Sequence, residues 1–304
     1  MIKQAVSVSL GSHKRNKEIE ITLLGQPVLI RREGWDADIA KVTSRFTELD
    51  GQVDALGVGG MDLWVSTDEK RYPLYGTHKL IAGVKQTPVV DGGGLKNTLE
   101  REVVPALIEA LGPKHGRGRV LITAAVDRFG MTRSFASHDY EMICGDLAFA
   151  LGLPIPLRSL NSVRRMARYL LPLIGRLPVS MLYPMGEKQH EIIPKFGKWY
   201  QWADVIAGDC LFIKRHMPDD LEGKIIVTNT TTEEDRRLFA ERGVKHIMTT
   251  TPILDGRSFG TNMLEAALTA VAGKGRPLTE PELQAMIASL NLKPTLAQAS
   301  QQAF

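Results

Sequence analysis

The chain has 304 residues, 43% of them hydrophobic and 24% charged, enough to bury more than one core, and two domains are predicted. A net charge of +4 gives a slight preference for anionic small ligands and argues against a dedicated nucleic-acid binder. Two cysteines, Cys144 and Cys210, no signal-peptide pattern and no apolar run near the roughly 20 residues that span a bilayer predict a cytoplasmic protein.

Residues 1–112 read as an α/β substrate domain. A strand at 3–10 leads into a polar loop, Gly11 to Asn16; short paired strands follow at 19–24 and 27–32, then an amphipathic helix at 37–49. A buried strand at 53–57 enters Gly59 and Gly60, and a strand at 72–74 precedes a helix at 76–84. The strand at 87–90 ends in Asp91, Gly92, Gly93 and Gly94, and a helix runs over 95–111. The loop Ser12, His13, Lys14 and Arg15 is the densest cationic spot of this domain and suits a carboxylate or phosphate, with His13 and Lys14 as substrate contacts; a solvated basic loop is the commoner outcome for such a pattern. The glycine run joins a strand to a helix start, where an anion is favoured. It places Gly93, Gly94 and Asn97 beside substrate, with Lys96 and Asp91 as a pair that exchanges a hydroxyl proton; the alternative is a tight turn with an exposed lysine.

Residues 112–118 are a breaker-rich linker, and a second domain is predicted over 113–274. A buried strand at 119–125, a helix at 127–138 and a strand at 140–144 ending in Gly145 and Asp146 have the order of a dinucleotide-binding unit with an acid at the second strand's tip. The turn is glycine-poor, and only Gly130 matches the fingerprint. The expectation is a Rossmann-like, doubly wound α/β sheet whose atypical turn holds NAD or NADP, with Val126, Asp127, Arg128, Gly130 and Asp146 at the adenosine half and Thr228, Asn229 and Thr230 near the nicotinamide. Arg128 and Arg133 also suit a phosphate or a solvated surface.

A basic, apolar insertion covers 147–190, with no acid from 147 to 186 but Arg158, Arg164, Arg165, Arg168 and Arg176. Residues 158–182 suit a membrane surface, a lid, a homodimer contact or a buried excursion whose arginines pair with acids elsewhere; the last three together outweigh the membrane. Strands at 204–208, 224–228 and 245–250 follow, with a helix at 233–242 that Thr232 caps, and an apolar helix at 259–272. A C-terminal helix at 280–290 and a tail complete residues 275–304. Strand tips at 123–125, 145–146, 208–210, 228–232 and 249–252 collect hydroxyls and backbone amides and together mark a ligand cleft. Thr251 is assigned to substrate there, as are Thr261 and Asn262 on the helix that returns across the cleft, although Ser258 or Thr261 also suits a helix cap. Cys210 reads as a buried inert thiol before a nucleophile, and seven histidines without paired spacing leave a metal unsupported.

The run Trp202, Ala203, Asp204, Val205, Ile206, Ala207, Gly208, with residues 221–227 after it, resembles a passage of shikimate dehydrogenases and methylene-tetrahydrofolate dehydrogenases. Through 6–15, 89–100, 126–131, 152–160 and 245–262 the chain is similar to a bacterial group labelled quinate 5-dehydrogenase. The resemblance implies an NAD(P)-dependent oxidoreductase acting on a small hydroxy acid or cyclic polyol. Shikimate dehydrogenases carry a glycine-rich turn that this chain lacks, and their lysine sits in a different pattern from Leu95, Lys96 and Asn97, so the role of Lys96 rests on chemistry. The competing readings are a non-redox protein or transferase for a nucleotide or phosphometabolite, docked through the basic insertion, and a regulatory scaffold.

Overall fold

A computed structural model describes residues 1–183, 191–251, 253–254 and 257–299. In chain order the elements begin with β1 (Lys3–Ser9), β2 (Lys17–Leu23), β3 (Gln26–Gly34), α1 (Ile39–Leu49), β4 (Ala55–Gly59), β5 (Trp64–Ser66), β6 (Arg71–Pro73), α2 (Tyr75–Leu80), β7 (Val89–Val90), α3 (Gly93–Asn97) and α4 (Val103–Leu111). There follow β8 (Arg117–Ile122), α5 (Phe129–Ala136), β9 (Asp139–Cys144), α6 (Asp146–Leu151), α7 (Leu160–Ile174), α8 (Val179–Leu182), α9 (Gly197–Trp202), β10 (Val205–Gly208) and α10 (Cys210–His216). The last are β11 (Ile225–Thr228), α11 (Glu233–Glu241), β12 (His246–Thr249), β13 (Ile253–Leu254), β14 (Arg257–Ser258), α12 (Thr261–Ala272), α13 (Glu280–Ser289) and β15 (Thr295–Gln298).

The chain folds as two units, each assembled from three segments. Unit 1 takes Met1–Leu95, Arg168–Gln189 and Phe259–Asn291; unit 2 takes Lys96–Ala167, His190–Ser258 and Leu292–Phe304. The division therefore falls before residue 96 rather than at the linker expected at 112. The reason is α4, whose Val103, Val104 and Leu107 are buried in the core of unit 2. The C-terminal region also divides, α13 belonging to unit 1 and β15 to unit 2.

Unit 1 is built on a sheet of order β2-β3-β1-β4-β7, in which β3, β1, β4 and β7 are parallel and β2 closes an antiparallel hairpin with β3. Alternation decides its faces. Val6 and Val8 of β1 join Leu56 and Val58 of β4 against Val42, Phe46 and Leu49 of α1, a helical stripe that Asp38 caps by accepting from Lys41 N. Ser7, between those valines, accepts from Asn262 Nδ2 at 2.5 Å, so α12 covers the opposite face. The turn after β7 needs glycine at 92: φ is +92°, and a Cβ would lie 2.6 Å from Thr261 Oγ1 and 2.8 Å from Asn262 N. Two acidic side chains pin this turn. Asp91 accepts from Leu63 N at 2.7 Å, Trp64 N at 3.1 Å and Gly93 N at 2.8 Å, and Glu265 accepts from Gly94 N at 2.9 Å and Leu95 N at 3.3 Å.

Unit 2 is a Rossmann-like, doubly wound sheet of order β15-β12-β11-β10-β8-β9, parallel except for β15. Its strands are apolar on both sides because helices cover both faces. Val120, Ile122, Val205 and Val227 meet Leu107, Phe129 and Phe135 on one face; Leu121, Ile206, Ile226 and Ile247 meet Tyr200, Ile213 and Phe239 on the other. In the insertion, α7 buries Val163, Ala167 and Leu171 at helical spacing. Arg158 reaches Glu141 at 3.4 Å in unit 2, and Arg168 reaches Glu69 at 2.8 Å in unit 1. Residues 184–190 of the predicted insertion and 300–304 of the predicted tail lie outside the described residues. No helix among the described residues is long and apolar enough to cross a membrane.

Glu265 is 4% exposed, and burial, reinforced by Asp91, pushes its carboxyl up to about 8. The folded state therefore holds this proton more tightly than the unfolded chain, where the group titrates at about 4. Its contribution to stability is intact below about pH 4 and is lost as pH rises to about 8, amounting to several kcal/mol because the group is buried. Urea unfolding of Glu265→Gln across pH 5 to 9 is expected to show a flatter stability profile than the parent chain; an unchanged slope contradicts the assignment.

Candidate functional site

In unit 2 the chain passes from β8 to β9 and then to β10, yet β8 lies between the other two. The strand order reverses there, and open α/β sheets bind ligands outside the carboxyl ends of strands at such a point. A charged cluster fills this place. Arg128, only 2% exposed, is the N-cap residue of α5. Its Nη1 contacts Glu100 Oε1 at 2.5 Å, its Nη2 contacts Asp209 Oδ2 at 3.1 Å and its Nε lies 3.4 Å from Asp127 Oδ2. Burial opposes the charge, but Glu100, Asp127 and Asp209 more than restore it, so the guanidinium pKa lies above its ordinary value. Lys96 Nζ binds Asp127 Oδ1 at 2.7 Å, and Thr250 Oγ1 donates to Glu100 Oε1 at 3.2 Å. Asp209 caps α10 by accepting from Leu211 N and Phe212 N, and also accepts from Asn229 Nδ2 at 2.7 Å.

The turn expected to hold a dinucleotide is occupied by the protein itself. Asp146, the first residue of α6, accepts from Val126 N at 2.9 Å. Burial pushes its carboxyl up to about 6, and its Oδ2 has no hydrogen-bond partner among the described residues. A Cβ on Gly130 would overlap the Lys96 carbonyl oxygen, so the glycine admits the backbone of residues 96–97 onto the first turn of α5. Arg128 is committed to its three carboxylates. Of the predicted nicotinamide contacts, buried Thr228 donates to Asn229 Oδ1 at 3.0 Å, while Asn229 and Thr230 are half-exposed. Thr251, assigned to substrate, is buried and donates to the Asn229 carbonyl at 2.9 Å.

Lys96 and Asp91 have separate partners: Asp91 binds backbone amides in unit 1, while Lys96 pairs with Asp127 in unit 2. Asn97 is half-exposed in unit 2. Gly93 and Gly94 donate their N–H groups to Asp91 and Glu265. Thr261 is buried beside Gly92, and Asn262 binds Ser7. His13 is exposed and pairs through Nδ1 with Asp36 at 2.6 Å; Lys14 is exposed. Pro252, Asp255 and Gly256 of the predicted tips and loops lie outside the described residues. Cys210 is buried, and burial pushes its thiol well above the ordinary value. Among the described residues no group of His, Cys, Asp and Glu has the arrangement of a metal site.

Of the cluster's carboxylates, Glu100 has no assignment in the sequence reading, and Asp209 appears there only within the strand tip 208–210. Asp209 follows a strand tip, a signal that was available. Glu100 sits 28 positions before Arg128, and no local pattern announces that pairing.

Two family models match the chain: one described as Domain of unknown function (DUF8754) over residues 94–299 and one described as Domain of unknown function (DUF8753) over residues 4–91. Neither description names a quinate or shikimate dehydrogenase. No curated protein matches the sequence. Among solved structures, an NAD-dependent malic enzyme from Thermotoga maritima is 12% identical with a TM-score of 0.39, covering 93% of this chain and 76% of that one. A dipicolinate synthase chain from Bacillus halodurans is 13% identical with a TM-score of 0.31, covering 95% and 97%. The substrate-binding protein of a sugar ABC transport system from Bordetella parapertussis is 11% identical with a TM-score of 0.34, covering 91% and 82%.

Two substitutions check this site. Gly130→Ala forces a methyl group against a backbone carbonyl and is expected to destabilise the chain by about 2 kcal/mol, read as a lowered urea midpoint. Asp146→Asn keeps an acceptor for Val126 N and removes an ionisation that costs stability as pH rises from about 4 to about 6. The variant should match the parent at pH 4 and exceed it at pH 7 by an amount on the order of 3 kcal/mol; equal stabilities at pH 7 contradict the assignment.

Proposed function

The chain belongs to the family described as Domain of unknown function (DUF8754), and from the geometry of that matched segment we propose that unit 2 binds a small polyhydroxylated metabolite at the carboxyl ends of its strands, without a dinucleotide pyrophosphate on α5. One observation carries this reading. The helix start that would receive a pyrophosphate is covered by the chain's own Lys96 backbone. The cationic side chains nearby are also engaged. Arg128 and Lys96 are already paired with Glu100, Asp127 and Asp209, which disfavours a phosphate there.

The groups facing outward are suited to hydroxyls. Asp127 and Asp209 are 27% and 32% exposed at their side chains, and half-exposed Asn229 and Thr230 stand beside them in sequence order on the neighbouring tip. A carboxylate accepts from a ligand hydroxyl more strongly than a neutral oxygen does, and an amide both donates and accepts. The buried ammonium of Lys96 against the half-exposed Asp127 carboxylate is a pair able to receive or return a hydroxyl proton.

That pair also favours a second reading, an NAD(P)-dependent oxidoreductase acting on a small hydroxy acid or cyclic polyol, with the dinucleotide held away from the start of α5. Calorimetry separates the two. Cyclic polyols and aldoses should bind the parent chain, with binding weakened at least tenfold in Asp209→Asn, while NAD, NADP and their reduced forms produce no stabilisation. A dinucleotide at a hundredfold excess over its Kd must stabilise by about 2.7 kcal/mol if it binds the folded state alone. Such a shift, without polyol binding, sinks the first reading and supports the second. Under the second, Lys96→Ala should abolish turnover and leave cofactor binding intact.

A further inference from the structure

Two arginines of unit 1, Arg15 and Arg32, lie close together near the carboxyl end of its sheet. Arg32, near the carboxyl end of β3, donates from Nη1 to the Ser12 carbonyl at 3.0 Å and to Asn16 Oδ1 at 3.4 Å, and from Nη2 to Ser9 Oγ at 3.0 Å. All three acceptors are neutral. Among the described residues neither Arg32 nor Arg15 has a carboxylate within ion-pair distance, whereas the neighbouring Arg31 and Arg45 both reach Glu33. The two unpaired guanidiniums converge: a Cβ on Gly11 would lie 2.7 Å from Arg32 Nη2 and 3.1 Å from Arg15 Nη2. The nearby Asp36 is committed to His13, accepting from its backbone N at 3.0 Å and pairing with its Nδ1 at 2.6 Å. Burial first and Arg15 second bring the Arg32 pKa down to about 10, with Asp36 only partly opposing them.

A half-buried guanidinium beside a second cation is unfavourable unless an anion completes the arrangement. The sheet topology puts the pair where open α/β sheets bind ligands. β1 lies between β3 and β4 with all three parallel, so their carboxyl ends meet where the strand order reverses. The lining there is small: around Gly60 a Cβ would find only Ser9 Oγ at 3.6 Å and Gly11 N at 3.9 Å.

We propose that Arg32 and Arg15 form an oxyanion site in unit 1 that takes a carboxylate or phosphate group of a small ligand, with Ser9 and Asn16 orienting the Arg32 fork. Arginine suits this task because its planar donors match either group in two-point contact. The site is independent of the polyol reading for unit 2, and its test reads different residues and ligands.

The intact chain is titrated with inorganic phosphate and, separately, with malonate, chloride holding ionic strength constant, and binding is followed by thermal stability and by NMR shifts of the Gly11 and Gly60 amides. Saturable binding of at least one anion is expected, weakened tenfold or more in both Arg15→Gln and Arg32→Gln. Without anion, Arg32→Gln should be at least as stable as the parent, because an unpaired cation has been removed. Binding of phosphate alone or of malonate alone identifies the group recognised. The proposal is overturned if neither anion stabilises the parent beyond chloride, or if exposed Arg15→Gln binds both anions like the parent.

Discussion

The Rossmann-like unit depends on one buried charge. Arg128 cannot be dehydrated alone, because an isolated guanidinium in a protein interior costs far more than a helix start can return. Its solution is to gather Glu100, Asp127 and Asp209 from three separate stretches of chain. Those contacts tie the segment leading to α4, the turn after β8 and the tip of β10 to one point. Thr250 adds the tip of β12 through Glu100, and Asn229 adds the tip of β11 through Asp209. The carboxyl edge of the sheet is thus tied together by a cation.

The two units solve the same topological problem with opposite electrostatics. Each has a strand-order reversal at the carboxyl ends of parallel strands. In unit 2 the cations there are paired with carboxylates. In unit 1, among the described residues, the guanidiniums of Arg15 and Arg32 have no carboxylate within ion-pair distance. Similar backbone architecture therefore carries two different sets of polar side chains at the same topological place.

Local patterns disclosed much of this fold. The buried runs that become β8, β9, β10, β11 and β12 are apolar on both faces, and Thr232 with Asp235 forms a capping box at α11. Length was harder. The helix expected over 95–111 is α3, a 3-10 turn at Leu99–Glu102 and α4, since the glycines before it and Pro105 within it interrupt regular hydrogen bonding. The site was legible in its positions and opaque in its pairings. Strand tips can be read from periodicity, whereas the partner of Lys96 depends on how the segment before α4 lies over α5. The glycines at 92 and 130 illustrate the same limit: each looks like room for a ligand, and each instead admits another part of the chain.

The threading of the chain has a consequence for its birth on the ribosome. The strands of unit 1 are complete by Val90, but α12, which covers one face of their sheet, begins only at Thr261. Unit 2 has to wait for β15 before the edge of β12 is paired. The face of the unit 1 sheet that carries Ser7 stays uncovered until α12 emerges, although Val6, Val8, Leu56 and Val58 already have α1 to pack against. Completion of each unit therefore waits on long-range closure, the regime in which chains fold slowly and associate more readily.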